Sequence, residues 1–382
     1  MNKSGNSHIS TSIKDTMHKI MNINTDFVVF ILGSAIVLII ILIIVYYIYM
    51  KKLPNRECNA MDAIFSTVNG SIKSLNSGDP NCQYELKDYY IKTAYNCCSP
   101  GTYKNDYVSI CALKDVLKQG VRCLDFEIFS IDGQPVVATS TSESVYVKET
   151  YNYVFFTEVL DIIKNYAFAT STSPNPLDPI ILHFRFKSLN QTMYQNFANL
   201  LKENDTFFLG PAFSFEMNGQ NFGNTKILDL CGRKIIIIVD KLNNAFMDCK
   251  EFYEYVNLTS NSIFMRALHM YDIQNTPDLY ELQEYNKRNM TISMPDNGAD
   301  PVNPSAMVCR ETGSQMIGMM YQKYDTNLQE NNVFFDQCGY AFCLKPEKLR
   351  YIPELIEAPP EQNPALSFAT RSVATDYYKF DI

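Results

Sequence analysis

From Phe27 to Met50 the chain carries no charged residue, and Ile36 to Ile44 would be apolar on every side of a helix. A helix buried in a soluble core normally keeps a polar stripe toward water, so this segment fits no ordinary globular core. A bilayer needs about 20 such residues at about 1.5 Å each, and the run is long enough. No small-residue cleavage site follows it, as a removable signal peptide would require. Tyr46, Tyr47 and Tyr49 stand where an interfacial aromatic belt is expected. The reading is a single-pass membrane protein with a transmembrane helix over residues 27–50. A polar, disordered tail is expected at 1–26 and a neck at 51–87.

Charge around the span bears on its orientation. Lys51, Lys52 and Arg56 follow it, whereas Lys14 and Lys19 precede it. The positive-inside rule leans the large domain toward the cytoplasm. The chain has 11 cysteines, an odd number scattered along its length. They read mostly as buried thiols with a few disulfides at most, and free thiols fit the reducing side. Asn-x-Ser/Thr sites at Asn69, Asn190, Asn204, Asn257 and Asn289 fit the other side, although such triplets arise by chance in Asn-rich chains. The net charge of −8 excludes a global basic field for nucleic acid. Richness in Asn, Ile, Lys and Tyr fits an AT-rich genome such as that of a large DNA virus, which would place the protein in a virion or host membrane.

Beyond residue 88, β-rich runs alternate with helical ones. Strands are predicted at Tyr89–Tyr95, Val121–Phe129, Pro135–Ala138, Pro179–Phe186, Lys234–Val239, Ser262–Tyr271, Met316–Tyr321 and Tyr340–Leu344. Helices are predicted at Ile110–Lys118, Phe155–Phe168, Leu189–Lys202 and Thr276–Arg288. Four successive Ile at 235–238 mark a strand buried on both faces. The alternation indicates a parallel sheet, and about eight units in about 250 residues suit a (β/α)8 barrel. No Gly-rich loop follows the first strand, which counts against an open doubly wound sheet. After Tyr351, prolines at 353, 359, 360 and 364 predict an extended tail over 352–382.

Five ordered segments carry a family resemblance. Gly120-Val121-Arg122-Cys123-Leu124-Asp125-Phe126-Glu127, then Tyr166-Ala167-Phe168-Ala169-Thr170-Ser171 and Pro179-Ile180-Ile181-Leu182, resemble the X region of phosphatidylinositol-specific phospholipase C. Gly313-Ser314-Gln315-Met316 and the stretch from Cys338-Gly339-Tyr340 to Leu349-Arg350 resemble its Y region. The resemblance implies a distorted TIM barrel over 88–351, X-like at 88–240 and Y-like at 260–351. It also implies a chemistry in which one His takes the inositol 2-hydroxyl proton, another protonates the leaving group, and Ca²⁺ held by carboxylates and an Asn steadies the phosphate.

At the matching positions this chain departs from the family. The first His is matched by Tyr95, whose phenol near pKa 10 is a poor base at neutral pH. The second is matched by Thr139. Asn96, a metal-ligand position, is retained. The acidic pair is reversed, as Asp125 and Glu127, two apart and so on one face of a strand. The third carboxylate is matched by Arg185, and the phosphate-binding Arg by Ile292. The chain has only four His. His8 and His18 precede the span, which leaves His183, on the same strand face as Arg185, and His269. Asp125, Glu127 and Arg185 sum to −1, the same as three carboxylates and a divalent cation. Arg185 is therefore expected to replace the metal by bridging the carboxylates with its planar fork. No catalytic residue, metal or cofactor is expected; Ca²⁺ enters only if the site is active.

Three functions compete on these residues. One is a membrane-anchored pseudoenzyme serving as a structural, interaction or lipid-contact module. Another is an active phosphoric diester hydrolase acting on phosphoinositides. The third is an inositol-phosphate binder without turnover. Partners on these readings are the membrane itself and a phosphoinositide lipid or membrane protein.

Overall fold

The computed structural model describes residues 25–353, 359–361, 363, 366 and 368–382. The expected tail at 1–26 lies almost wholly outside them. The chain divides into two units after Arg350.

In the first unit, short runs rich in Ile, Val, Met and Phe become parallel strands because both of their faces are buried. These are β1 (Tyr89–Ala94), β2 (Cys123–Ile131), β5 (Ile180–Phe186), β6 (Ile235–Asp240), β7 (Leu258–Ser260), β8 (Met265–His269), β9 (Met290–Met294) and β10 (Met316–Met319). Their order is β7-β6-β5-β2-β1-β10-β9-β8, and every neighbouring pair in it is parallel. The result is a nearly closed eight-stranded barrel. A hairpin strand β3 (Gln134–Ala138) runs antiparallel to β2 and carries β4 (Val154–Phe155).

Alternation along the strands sorts side chains into two layers. Leu124, Phe126, Leu182, Phe184, Ile237 and Val239 point outward to the helices. The helices used below are α1 (Thr25–Phe65), α2 (Ile110–Lys118), α3 (Phe156–Ile162), α4 (Gln191–Glu203), α5 (Leu279–Arg288) and α6 (Thr326–Cys338). Phe197 on α4 stacks on Phe156 of α3 at 4.3 Å between ring centroids and meets Phe184 of β5 edge-on at 5.3 Å. Burying each such side chain contributes roughly 1.5–3 kcal/mol.

The inner layer changes character along the barrel. Ile91, Cys123, Ile181, Ile236, Ile292 and Met316 fill it near the strand starts. Two to four residues further along, the inward positions are Asp125, Glu127, His183, Arg185, Asp240 and Ser260, all buried. An apolar plug thus supports a charged layer at the C-terminal ends of the strands, the end at which barrels of this kind carry their sites.

Helix α1 passes without interruption from the apolar run into the domain. Its outer part is the one described helix long and apolar enough to cross a membrane, with a mean hydropathy of 3.5 over its most apolar window. The expected neck is helical as far as Phe65. Leu53, Met61 and Phe65 are buried, Asp62 pairs with Lys118 at 3.1 Å, and Phe65 packs on Tyr321 at 5.5 Å. Cys58 is disulfide-bonded to Cys111 at the start of α2, and Cys338 to Cys343 after α6.

Several element readings change. The predicted strand Ser262–Tyr271 is a strand only at β8, Met265–His269, and turns helical from Met270. Just before it, Asn261 ends β7 with φ +54, and its amide donates to both Asp240 carboxylate oxygens. Tyr340–Leu344 does not close the barrel. Its core, β11 (Phe342–Leu344), lies antiparallel on the start of β1. The barrel strands that sequence reading left out are β7, only three residues long, and β9, where Met290, Ile292 and Met294 alternate with Thr291 and Ser293. The helix predicted at Phe155–Phe168 is α-helical only to Ile162 and then makes a wider π turn over Ile163–Ala167. In the second unit, part of the stretch expected to be extended pairs as a hairpin, β12 (Ser372–Ala374) with β13 (Lys379–Asp381).

Candidate functional site

Parallel pairing of β2 with β5 sets Asp125 beside His183 and Glu127 beside Arg185. All four side chains point inward, so two acids and two bases share the charged layer. β1 ends beside them and delivers Tyr95 and Asn96. Gly318 of β10 makes room for that delivery: a Cβ there would lie 3.3 Å from the Cβ of Tyr95.

The guanidinium of Arg185 stands at the centre. Its Nη2 donates to Asp125 Oδ1 at 2.7 Å and to Asn96 Oδ1 at 2.9 Å. Its Nε donates to Asp125 Oδ2 at 3.1 Å, and its Nη1 to Glu127 Oε1 at 3.0 Å. The Tyr95 ring covers one face of it, 4.4 Å from Cζ to the ring centroid. Asn96 adopts φ +46, a left-handed conformation that Asn tolerates. There its backbone N–H donates to Asp125 Oδ1 at 3.2 Å, and its amide donates to Glu127 Oε1 at 3.4 Å.

Burial would push the Asp125 carboxyl up, but Arg185 and a hydrogen bond from His183 more than reverse this and hold it well below the usual carboxylate range. Burial also pushes the Tyr95 phenol well above its ordinary value, so it stays neutral and offers no base. Thr139 turns its hydroxyl to the Tyr103 carbonyl at 3.0 Å.

His183 lies between Asp125 Oδ2, 2.7 Å from its Nδ1, and Ser260 Oγ, 3.0 Å from its Nε2. Ser260 in turn donates to Asp240 at 3.0 Å. Both ring nitrogens of His183 are thus engaged within the protein.

A second tie closes the pocket from above. Glu143, on the loop between β3 and β4, meets His269 Nε2 at 3.2 Å and lies 3.8 Å from Arg185. The other ring nitrogen of His269 faces the Pro295 carbonyl at 2.6 Å. Each nitrogen therefore meets an acceptor, which suits the imidazolium. On the same loop, Ser140 donates to Glu127 Oε2 at 2.6 Å, and Lys187 donates to the Ser142 carbonyl at 2.9 Å. The space left between Glu143, Arg185, Lys187 and Asp240 is about 20 Å³, room for about one water.

Six of the seven sequence-derived positions, Tyr95, Asn96, Asp125, Glu127, His183 and Arg185, meet in this cluster. Thr139 borders it without joining it, and Ile292 lies deeper in the apolar layer. Sequence reasoning missed Glu143, Ser140, Lys187, Asp240, Ser260 and the role of His269. Asp240 carried a signal, a single acid closing a run of Ile and Val. Glu143 carried none, because its Ser/Thr-rich surroundings have no period.

Ca²⁺ prefers six to eight oxygens at about 2.3–2.6 Å. The oxygens of Asn96, Asp125 and Glu127 instead point at a permanently charged guanidinium. The residues present do not fit a divalent cation.

The Glu143–His269 tie makes a pH prediction. Burial raises the Glu143 carboxyl, yet the adjacent His269 and Arg185 bring it down to about 2. Its stabilisation is full above the ordinary value of 4.5 and is lost as pH falls toward 2. Burial lowers the His269 value, but Glu143 raises it above 6.5 overall. That share is full at low pH and is lost as pH rises through the raised value. The melting-temperature difference between the wild type and Glu143→Gln should therefore be bell-shaped, with its maximum at about pH 5–6. A difference that stays flat from about pH 3 to about pH 9 would refute the tie.

Residues 82–238 match the family described as phosphatidylinositol-specific phospholipase C, X domain. Among solved structures, PLC21 of S. officinalis superposes with a TM-score of 0.56 at 18% identity, over 72% of this chain and 39% of that one. PLC21 of L. pealei does so with a TM-score of 0.54 at 19% identity, over 71% of this chain and 38% of that one. The chain thus spans about two-fifths of the length of these two proteins. Among curated proteins, no sequence relative matches. The barrel has a phospholipase C-like fold, and its first half matches the X domain of the phosphatidylinositol-specific phospholipases C.

Proposed function

We propose that the protein is a membrane-anchored, phospholipase C-like pseudoenzyme, retained as a structural, interaction or lipid-contact module. The observation that carries this reading is Arg185, fully enclosed and bound to Asp125, Glu127 and Asn96. The cation sits where the family resemblance places a metal, but it is covalently part of the chain and cannot be exchanged. Tyr95 and Thr139 stand at the two His positions. The apolar outer part of α1 supports the anchor.

The space beside Arg185, about 20 Å³, is also too small for an inositol phosphate at that position. A ligand that binds only the native state raises its melting temperature, by about 2.7 kcal/mol of stability at a hundredfold excess over Kd. On the proposed reading, neither Ca²⁺ nor inositol trisphosphate at millimolar concentration shifts the melting temperature of the folded protein. A dose-dependent rise with inositol trisphosphate would favour the binder, and a rise with Ca²⁺ the hydrolase.

A further inference from the structure

With one exception, Cys231, the cysteines divide by exposure. Cys58, Cys111, Cys338 and Cys343 are all partly exposed, and all four are paired, with Cα–Cα distances of 5.9 and 6.1 Å. Both distances suit a disulfide. Of the seven unpaired cysteines, six are buried, and Cys231 is partly exposed like the four paired ones. Burial pushes the thiols of Cys97, Cys98 and Cys123 up, which leaves them inert as nucleophiles. Buried thiols survive in any compartment, so their number says nothing about a reducing one. Four of the five partly exposed cysteines are paired, and that does bear on it, because persistent disulfides belong to oxidising compartments.

The basic residues after the span count for little against this. Charge bias acts on short loops, and large domains cross membranes largely regardless of it. Arg56 and Lys51 also lie over the Tyr49 and Tyr47 rings, at 5.1 and 5.2 Å, so the aromatic belt accounts for their position.

We infer that Cys58–Cys111 and Cys338–Cys343 are formed disulfides and that the barrel lies on the oxidising side of its membrane, opposite to the side favoured by charge counting alone. In each pairing two thiols lose two protons and two electrons to the disulfide of a thiol oxidase, which departs as a dithiol. The first bond has a structural consequence. It staples α1 to α2 a few residues beyond the apolar run, alongside Leu53, Met61 and the Asp62–Lys118 pair, so the span and the barrel are joined covalently outside the backbone. The choice of side rests on the membrane reading above; the disulfides themselves do not.

The full chain expressed in cells tests both parts. Membranes are first washed with alkaline carbonate; release of the chain would contradict the membrane reading and leave the thiol count to judge the disulfides. The denatured chain is then treated with maleimide–polyethylene glycol, with and without prior reduction. Seven adducts without reductant and 11 with it are expected, from seven free cysteines among 11 in all. Eleven adducts without reductant would overturn the disulfides. Protease added to sealed, unbroken vesicles should leave the barrel intact until detergent opens them. Digestion of the barrel in intact vesicles would overturn the assigned side.

Discussion

Replacing Arg185 by alanine is expected to destabilise the barrel by about 3–5 kcal/mol, the usual cost of leaving buried charges without their partner. Asp125 and Glu127 are 0% and 1% exposed, and among the described residues no other Arg or Lys is paired with either. Glu127 would have to ionise unpaired or take up a proton near neutral pH, and Asp125 would be left with His183 as its one chargeable partner among the described residues. Arg185→Lys keeps the charge but loses the fork that reaches both acids and Asn96 at once, so only partial recovery is expected. Arg185→Met combined with Asp125→Asn and Glu127→Gln removes all three charges together and should be more stable than Arg185→Ala alone. Urea unfolding midpoints report the order. A loss below about 1 kcal/mol for Arg185→Ala would show that the cluster is better hydrated than its geometry indicates.

Phe197→Ala should cost a similar amount, about 3–5 kcal/mol, for a different reason. Phe197 of α4 stacks on Phe156 and meets Phe184, Phe186 and Phe252 at centroid distances of 5.3, 5.6 and 5.1 Å. Alanine leaves a cavity among these rings, in a layer too well packed to collapse fully. Phe197→Leu keeps most of the volume and should cost clearly less. Because these rings lie on the outer face of β5, neither variant should alter the pH profile of the Glu143–His269 tie. Thermal unfolding across pH separates the two layers.

Much of the barrel was legible because burial on two faces writes itself into composition. The run of Ile at 235–238 reads as an interior strand without any partner in view, and α2 follows from its periodicity. β9 was harder to see. Thr291 and Ser293 face outward, yet both are buried and hydrogen-bonded beneath α5 and the turn at Ser314, so the strand reads as half polar. α1 was legible as a span but not as a strut, because Asn55, Arg56, Glu57 and Asn59 hide the spacing of Leu53, Met61 and Phe65. The core of the site was legible from strand alternation and resemblance, since Asp125, Glu127, His183 and Arg185 all fall on inward positions. Its cover was not. Glu143 reaches His269 across 126 residues of sequence (269 − 143) from an aperiodic loop, and no local pattern reports such a contact.

On the proposed function, Arg185 takes the place of the catalytic metal, and Tyr95 and Thr139 stand where the two His would be. Hydrolysis of phosphatidylinositol and its phosphorylated forms by the well-folded protein, measured with Ca²⁺ and with chelator, tests that reading most directly. No turnover above the protein-free rate is expected in either condition. Ca²⁺-dependent release of inositol phosphate would contradict it, and would mean that Arg185 swings away from Asp125 and Glu127 when substrate arrives.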